Sequence, residues 1–595
     1  MKIIYWMKVV VLSLSVLMLT SCSSGEENVW LKSPDWSRGV FVGATSVHGP
    51  VSFVKDSDGT TTFFLVEFDE ETSNYSFDLA QMFSGSADLN HSRIALGELQ
   101  NVKQPEIVLD DNGNLRLFWI SSEGLYTLAV SGDGGPLGEP VLLSGAEVVA
   151  SYDIAHAPDG GFTLWFAGSR RNPGIFALSD HTGSVQSDLV DADGTLVRLR
   201  YDDRGQLHAV WVHYPFGYEI TQIQYGIYDP ALSEFAIPYS PVISLNLGIQ
   251  KRLDDLALGV DDSNVYLFWV TSVQAGLQAG DVQASYRSFP IGDNGQDAPS
   301  LLMRVPTVYS LEFEGSSGNL KAGDRVSLLE LNVPTTPKVQ DFRTNLSAAG
   351  EVVLAVRSPA EHLWRKTREQ VNLVYFDNGS LTDYQPLTFT SSLSTLPNVV
   401  NDPNGYVSVT WLERLSSDLF YVYFASTDPT VIDEFDAMST GEYLNVVYTT
   451  LFGMLIGALL APIAAGVWLF APLIVLALFS FAHRLFPPRI GRYLSIAALV
   501  IAVGVVWFVK LAVFPNMWVY VPFSAWIPNI PVLLGDVLRM AVPLLTLVVS
   551  SFTAWHFTYR RGNDSSLYFM LIYVAVDALI TTSVYAVLIY GTYVQ

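Results

Sequence analysis

The stretch Pro105–Ile120 reads PEIVLDDNGNLRLFWI. It consists of two short apolar segments on either side of an Asp-Asp-Asn-Gly turn, and the second segment ends close to a tryptophan, Trp119. Val, Ile, Leu, Phe and Trp suit a pleated, half-buried strand, and Asp-Asn-Gly suits a tight turn. The stretch therefore predicts an antiparallel β-hairpin.

The same hairpin pattern returns along the first 440 residues. Close copies contain Trp165, Trp211, Trp269 and Trp411, and weaker copies without the tryptophan lie at Val51–Val66 and Phe342–Val356. A β unit that repeats about every 45–60 residues is typical of a propeller. Seven hairpins predict an all-β propeller of seven blades.

The repeat extends beyond the hairpin. In blade 2 we expect strands A to D at Glu106–Leu109, Leu115–Ile120, Gly124–Ser131 and Glu139–Ser144, and later C strands at Gly174–Leu178, Gln222–Tyr228, Val282–Phe289, Val371–Phe376 and Leu419–Ala425. The segment Gly39–Thr45 is expected to close the ring as the outer strand of the last blade, which removes a sheet edge. An extra pair, Thr307–Glu314 and Arg325–Asn332, leaves open an eighth blade or an insertion.

The charge of the chain is unevenly distributed. Up to Thr440 there are 26 Lys and Arg against 54 Asp and Glu, and from Gly441 there are 7 against 4. An acidic surface repels phosphates, so nucleic acid is excluded as a partner. The nearly uncharged, apolar remainder predicts a membrane domain.

The N-terminus carries an export signal. Lys2 and Lys8 precede the apolar run Val9–Leu19, which is too short to span a bilayer. The run continues as Thr20-Ser21-Cys22, which resembles the bacterial lipobox, and this resemblance implies that Cys22 is lipidated and becomes the new N-terminus. The alternative is an ordinary signal peptide with an incidental cysteine. Both interpretations place the acidic part outside the cytoplasm.

Few residues are available for metal or cofactor chemistry. Cys22 is the only cysteine, which excludes an intrachain disulfide and a cysteine-based metal site. The histidines show no zinc spacing, and we predict neither a metal nor a cofactor. The paired acids are interpreted as turn residues, with calcium binding as the alternative, and the repeated tryptophans as core, with sugar stacking as the alternative. These acid pairs are Asp110-Asp111, Asp202-Asp203 and Asp261-Asp262.

Between Gly39 and Ala425 the chain resembles the sialidase-like (BNR or Asp-box) propellers. Ser131-Gly132-Asp133-Gly134-Gly135 matches the S-x-D-x-G part of an Asp box, while Pro136 and Leu137 stand where that family has Thr-Trp. The resemblance concerns fold more than activity. The Phe-Arg-Ile-Pro motif of the sialidases is absent, since Ser37-Arg38-Gly39-Val40 stands near that place, and no catalytic residue is transferred.

The resemblance implies that the loops between strands B and C lie on the face that holds the ligand site. Arginine binds carboxylates and phosphates with two hydrogen bonds, and aromatic side chains supply contact area. The alternative is a solvated loop face. The candidate ligand-binding residues in these loops are Arg170, Arg171, His213, Tyr214, Arg357, Arg365, Glu413 and Arg414.

Four apolar spans complete the chain, at Leu444–Phe481, Tyr493–Phe514, Val532–Phe557 and Leu567–Val594. Arginines follow the first span and the third, whereas the loop Pro515–Pro531 is uncharged and aromatic. The positive-inside rule therefore places the propeller on the extracytoplasmic side.

Four ionisable residues fall within or near these spans. Lys510, Asp536 and Arg539 lie near the outer ends of spans two and three, and Asp577 lies near the middle of the fourth. Intramembrane charges suggest a function, and the structural alternative is an ion pair such as Asp577 with Arg539.

The sequence thus predicts a signal peptide (1–21), a tether (22–38), a propeller (39–432), a linker (433–443) and a domain of four transmembrane helices (444–595). We expect a membrane-anchored binding or scaffold protein that recognises a protein or a glycan, with membrane lipid as a further partner. One alternative is a membrane-tethered sialidase-like glycoside hydrolase. Another is a signal transducer, which would need a membrane partner subunit.

Overall fold

The computed structural model describes residues 35–585 with gaps, and it separates into two compact units, a β unit that ends at Ala437 and a helical unit from Met438 onwards. The gaps are 57, 70–73, 85–88, 95–100, 111–112, 133, 146, 158–160, 179–186, 216–219, 231, 308–324, 329–332, 347–349, 364–365, 389, 391, 403, 417, 436–439, 484–487, 514–531 and 561–564. The predicted signal peptide and Cys22 therefore lie outside the described residues.

The β unit is a seven-bladed propeller, as the repeat predicts. Each blade is an antiparallel sheet whose strands follow the order A-B-C-D from the axis outwards. Blade 1 consists of Phe53–Lys55, Thr61–Asp69, Asn74–Met82 and Leu89–Ile94. Blade 2 consists of Lys103–Leu109, Leu115–Ile120, Leu125–Val130 and Val141–Leu142. Blade 3 consists of Ser151–His156, Phe162–Ser169, Asn172–Leu178 and Ser187–Asp191.

The later blades have the same plan. Blades 4 and 5 consist of Gly194–Tyr201, Leu207–His213, Ile220–Asp229 and Glu234–Asn246; and Lys251–Val260, Asn264–Val273, Val282–Pro290 and Leu301–Leu302. Blades 6 and 7 consist of Gln340–Leu346, Val352–Leu363, Lys366–Asp377 and Ser380–Pro386; and Ser394–Asn401, Val407–Arg414, Phe420–Ser426 and Val40–Thr45.

The long interval before blade 6 is an insertion. Val326–Ser327 pairs with Ser380–Pro386 and becomes a fifth strand of blade 6, while Val305–Pro306 pairs with Thr335–Thr336. The alternative of an eighth blade is therefore wrong for the described part of this interval. Most of the expected strand Thr307–Glu314 lies outside the described residues.

The ring closes with a strand from the N-terminal side, as expected. Val40–Thr45 pairs antiparallel with Phe420–Ser426, and the backbone N–H of Ser37 donates to the carbonyl of Ser426 at 2.8 Å. Lys55 of blade 1 reinforces the closure, because its ammonium lies 2.8 Å from Asp402 and 2.5 Å from Asp428. These contacts fasten the first blade to the last.

The repeated tryptophans form core, as predicted. Trp119, Trp165, Trp211, Trp269 and Trp411 are all buried. Within a blade Trp119 stacks on Tyr126 of strand C, with 5.7 Å between ring centroids, and between blades it meets Phe77 edge-on at 5.0 Å. Trp119 thus packs strand B of blade 2 against both its own blade and the neighbouring one.

The acids between strands A and B shape the turns. The Oδ1 of Asp202 accepts the backbone N–H groups of Arg204 at 3.0 Å and Gln206 at 2.7 Å, and Asp261 accepts those of Ser263 and Asn264. Asp carboxylates stabilise such turns by accepting backbone N–H groups a few residues ahead. The turn interpretation of these acid pairs is therefore the one that the geometry supports.

A short helix, Pro429–Phe435, follows the last blade. Val431 and Phe435 are buried in the same hydrophobic cluster as Phe53 and Phe424, and the carbonyl of Phe435 accepts a hydrogen bond from Arg38 at 3.5 Å. The β unit therefore extends past residue 432, the predicted end of the propeller.

The helical unit contains four long helices, Thr440–His483, Pro488–Val513, Val532–Thr558 and Ser566–Tyr585. Each includes an apolar stretch long enough to span a membrane, as the sequence predicts. The first helix continues through Pro462 and Pro472. It approaches the fourth at Gly457, where an added Cβ would lie 2.3 Å from the carbonyl oxygen of Thr582.

Candidate ligand site in the central channel

The inner strands of five blades place an ionisable side chain at the propeller axis. These residues are half-buried, which is unusual for charges within otherwise apolar strands, and the strands that carry them pack against one another around the axis. They are Glu106, Asp153, Arg198, Asp255 and Arg343 of blades 2 to 6.

Local backbone irregularities accompany these side chains. The pairing of strands A and B shifts register just before Glu106, Arg198, Asp255 and Arg343. A β-bulge bends the strand and redirects the next side chain, and bulges are frequent beside functional sites. Three of these irregularities contain a non-glycine residue with positive φ: Gln104 (47°), Leu196 (50°) and Asp341 (59°).

Carboxylates in this ring fasten adjacent blades. Asp153 accepts the backbone N–H of Leu199 at 2.6 Å, and Asp255 accepts that of Phe342 at 2.8 Å. Arg198 links the same layer, because its guanidinium donates to the carbonyl of Leu256 at 2.9 Å and lies 3.5 Å from Asp255. The ring therefore has a structural role, because its side chains join adjacent blades around the axis.

Glu106 differs from the other acids. Burial, and after it the charge of Asp153, raise the pKa of Glu106 to about 8, although Arg343 and Arg198 act in the opposite direction. Burial also raises the pKa of Asp153 and lowers that of Arg343. Glu106 is consequently protonated at neutral pH and is able to donate a hydrogen bond or a proton into the channel.

A second charged group lies towards the end of the channel where the B–C loops are. The Nε of Arg357 lies 2.8 Å from Asp341, whose carboxylate also accepts the backbone N–H of Leu396 at 3.1 Å. His48, in the connection between the ring-closing strand and blade 1, is close enough to this group for its pKa to be affected by it. Burial lowers the pKa of His48, as do Arg357 and Arg414, whereas Asp341 opposes them.

A cavity of about 370 Å³ lies beside His48. It is lined by the loop Ser46–Gly49, by Tyr75 of blade 1 and by Lys103 and Gln104 of blade 2. The side-chain Oε1 of Gln104 is buried and has no hydrogen-bond partner within the described part of the chain. A ligand with a hydroxyl or N–H group would supply the missing donor, and the volume suits a small molecule.

The candidates from the B–C loops divide into separate groups. Arg170 and Tyr214 meet, because the Nε of Arg170 donates to the Tyr214 hydroxyl at 2.9 Å and its guanidinium lies 5.2 Å from the ring centroid. His213 instead lies 2.8 Å from Asp191, which also accepts the indole N–H of Trp211 at 2.6 Å. His213 therefore supports the core of blade 4.

The remaining candidate residues from the sequence analysis also lie in different surroundings. Glu413 is buried, and burial raises its pKa although hydrogen bonds from neighbouring side chains, among them Trp411 at 3.4 Å, act against this. Arg414 and Arg171 are exposed, and Arg414 donates to the carbonyl of Ser416 at 2.9 Å. Arg365 lies outside the described residues.

The channel residues escaped the sequence analysis, although a signal for them exists. A polar residue stands 12–14 positions before each of the five repeated tryptophans, namely Glu106, Asp153, Arg198, Asp255 and Asn398. In each case it lies within strand A, where the hairpin pattern calls for an apolar residue. A polar residue that recurs at this one position of strand A indicates that the position faces the propeller axis.

The helical unit holds one buried ion pair among its described side chains. Lys510 lies 3.1 Å from both carboxylate oxygens of Asp577, and its ammonium is 4.8 Å from the ring centroid of Trp507. The expected pairing of Asp577 with Arg539 is wrong, because Lys510 takes that place. The side chain of Asp536 lies outside the described residues.

No family model and no curated protein matches this chain. Among solved structures it is similar to a protein of unknown function from Dyadobacter fermentans, with 10% identity over 66% of this chain and 99% of that one and a TM-score of 0.34. It is also similar to an α-L-arabinanase from Penicillium chrysogenum, with 11% identity over 65% of this chain and 97% of that one and a TM-score of 0.33. A third similar structure is the GH93 α-L-arabinofuranosidase of Fusarium graminearum, with 8% identity over 63% of this chain and 91% of that one and a TM-score of 0.33. Similarity at this level says nothing about the activity of this chain.

Proposed function

We propose that this chain is a membrane-anchored propeller protein that binds a glycan at the B–C end of its central channel. The observation that carries the proposal is the ring of half-buried ionisable side chains around the axis, in which burial and the charge of Asp153 raise the pKa of Glu106 to about 8. Acidic, basic and neutral groups together offer both donors and acceptors, which is what a ligand rich in hydroxyl groups requires.

The adjoining cavity supports the same choice of ligand. The unpartnered Oε1 of Gln104 needs a donor, and Tyr75 contributes an aromatic side chain to the lining, a residue type that packs against sugars. A concave site of this size suits one or two sugar rings better than the flat surface of a folded protein. The orientation proposed for the propeller, outside the cytoplasm, rests on the export signal and on the arginine-bearing loops.

The test is a glycan array probed with the full chain in detergent. Glu106→Leu keeps the approximate size of the side chain but removes both the O–H donor and the carbonyl acceptor of the neutral Glu106, so the variant is expected to lose at least tenfold in affinity for any retained glycan. Glu234→Leu, the same change at an exposed position of blade 4, is the control and is expected to bind like the wild type. Equal binding by all three proteins would place the site elsewhere.

A second candidate function is glycoside hydrolysis. It is favoured by the proximity of Glu106 and Asp153, since the charge of Asp153 adds to burial in raising the pKa of Glu106, and glycosidases use one carboxylic acid and one carboxylate. Chromogenic aryl glycosides would reveal turnover by the wild type. If the activity belongs to this pair, Glu106→Gln and Asp153→Asn abolish turnover, whereas Glu234→Gln retains it. Binding without turnover would favour the first proposal.

A further inference from the structure

Ile249 and Leu277 are the two most exposed large apolar side chains in the described part of the chain, at 94% and 108% relative exposure. Both project from the same end of blade 5, Ile249 from the loop that precedes strand A and Leu277 from the B–C loop. The loops are in contact, because the backbone N–H of Gln274 donates to the carbonyl of Gln250 at 2.6 Å. Single exposed apolar residues are ordinary, but two on adjoining loop tips call for a physical reason.

The two loop tips can be buried at little cost, because they carry no charged group that would have to lose its water. Leu247–Gln250 and Gln274–Gly280 contain no ionisable side chain. In the second loop the backbone satisfies several of its own polar groups, since the N–H of Gly280 donates to Val273 at 2.8 Å and that of Val273 donates to Asp281 at 2.9 Å. The tips can therefore leave water without desolvating a charge.

Charged residues begin just behind the tips. Lys251 and Arg252 are exposed at the start of strand A, with Arg252 Nε 2.5 Å from Asp254, and Asp281 pairs with Lys338 at 3.3 Å. An apolar tip with charged groups one residue behind it matches the boundary between the acyl chains and the headgroups of a bilayer.

The rest of the chain indicates which apolar environment receives Ile249 and Leu277. The same polypeptide carries four helices long and apolar enough to span a membrane, so a bilayer is present at high effective concentration. We infer that Ile249 and Leu277 insert into the headgroup–acyl boundary of a lipid bilayer. The acidic balance of the first 440 residues opposes attraction to anionic lipid, so the insertion is hydrophobic and proceeds on uncharged phosphatidylcholine.

The β unit is suited to a direct test. Its ring is closed by its own N-terminal strand and its hydrophobic clusters are built from its own residues, so the fragment 35–437 has a complete core. Because Cys22 is the only cysteine, this fragment has none. A cysteine introduced by Leu277→Cys then takes an environment-sensitive fluorophore at one place. Leu232→Cys is the matched control, since Leu232 is 70% exposed in the C–D turn at the opposite end of blade 4.

On addition of phosphatidylcholine vesicles, the fluorophore at position 277 is expected to shift to shorter wavelength and to be quenched by nitroxide-bearing lipid, while the one at 232 stays unchanged. In vesicle sedimentation, Ile249→Ser combined with Leu277→Ser is expected to weaken binding at least tenfold, and Leu232→Ser to leave it unaltered. The inference is overturned if both fluorophores respond alike, or if the serine variants bind as the wild type does. It is also overturned if the response at 277 follows protein concentration without lipid, which would identify a second copy as the occupant.

Discussion

The ammonium of Lys510 lies 3.1 Å from each carboxylate oxygen of Asp577, and both side chains are fully buried within the helical unit. Removal of one partner leaves an uncompensated charge in an apolar environment, which costs about 3–5 kcal/mol. We therefore expect Lys510→Met and Asp577→Asn each to lower the midpoint of thermal unfolding in detergent strongly, and the double variant to recover much of the loss.

The control for this pair is Arg539, the partner that the sequence suggested for Asp577. Combining Arg539→Gln with Asp577→Asn is expected to add the two losses, because these side chains do not pair. Recovery with Arg539 and additivity with Lys510 would contradict the observed pairing.

Glu106 makes the stability of the propeller depend on pH in an unusual direction. Its pKa rises from 4.5 to about 8 on folding, so the folded state holds this proton more tightly than the unfolded state does. The associated stability is fully present below pH 4.5 and is lost as the pH rises towards 8, by on the order of 2–4 kcal/mol. Glu106→Gln removes the ionisation, and we expect its unfolding midpoint to vary less between pH 5 and 8 than that of the wild type. An unchanged pH profile would show that Glu106 is already ionised at neutral pH.

The contact of Lys55 with Asp428 at the ring closure is expected to make stability depend on pH in the opposite direction. Burial tends to raise the pKa of Asp428, but hydrogen bonds from Lys55 and Thr430 outweigh it and hold the pKa below the ordinary 3.8. The stability due to this group is therefore present above pH 3.8 and is lost as the pH falls through its lower folded pKa. Lys55→Met removes the cation that Asp402 and Asp428 share and is expected to cost about 2–3 kcal/mol in denaturant unfolding of the β unit.

A matched control exists for the closure. Lys338 and Asp281 form an exposed pair at 3.3 Å, and exposed pairs contribute about 0–1 kcal/mol. Lys338→Met is thus expected to have little effect on unfolding. Comparable losses for the two lysines would mean that the contacts of Lys55 do not hold the ring together.

The repeat was predictable because its features are local. Asp and Gly shape the A–B turns, and Trp119 and its counterparts fill the same place in five blades, so each copy carries its own evidence. The interval before blade 6 was harder, because an added fifth strand and an eighth blade both read as an apolar hairpin in sequence.

The channel site was not predictable in the same way. Glu106, Arg198 and Arg343 become neighbours only when seven inner strands surround one axis, and sequence separation gives no hint of that proximity. Conversely, His213 and Glu413 were predicted to be ligand groups in loops after strand B. They instead lie at the ends of strands Leu207–His213 and Val407–Arg414, and each interacts with a buried tryptophan of its own blade, His213 through Asp191.

Anchoring yields a prediction outside the described residues. If Cys22 is lipidated, metabolic labelling with a fatty-acid analogue is expected to tag the wild type and not Cys22→Ala. The Cys22→Ala protein is still expected to fractionate with membranes, because four helices are sufficient to hold it. Protease added outside spheroplasts is expected to cleave near residues 436–439 and to separate the propeller from the helices, with release into solution only for Cys22→Ala, which lacks the lipid; a protected propeller would contradict the proposed orientation.

The arginines of the loop face differ in their surroundings, and this difference decides where a ligand binds. Arg357 is half-buried beside Asp341 and close enough to His48 to lower the pKa of that histidine, whereas Arg171 is exposed. A charge is worth more to binding where water is excluded. For any glycan that the wild type retains on an array, Arg357→Gln is therefore expected to reduce affinity at least tenfold and Arg171→Gln less than twofold, with unfolding midpoints measured in parallel because Arg357 also holds Asp341. A larger loss at Arg171 would move the site outwards, to the rim where Arg170 meets Tyr214.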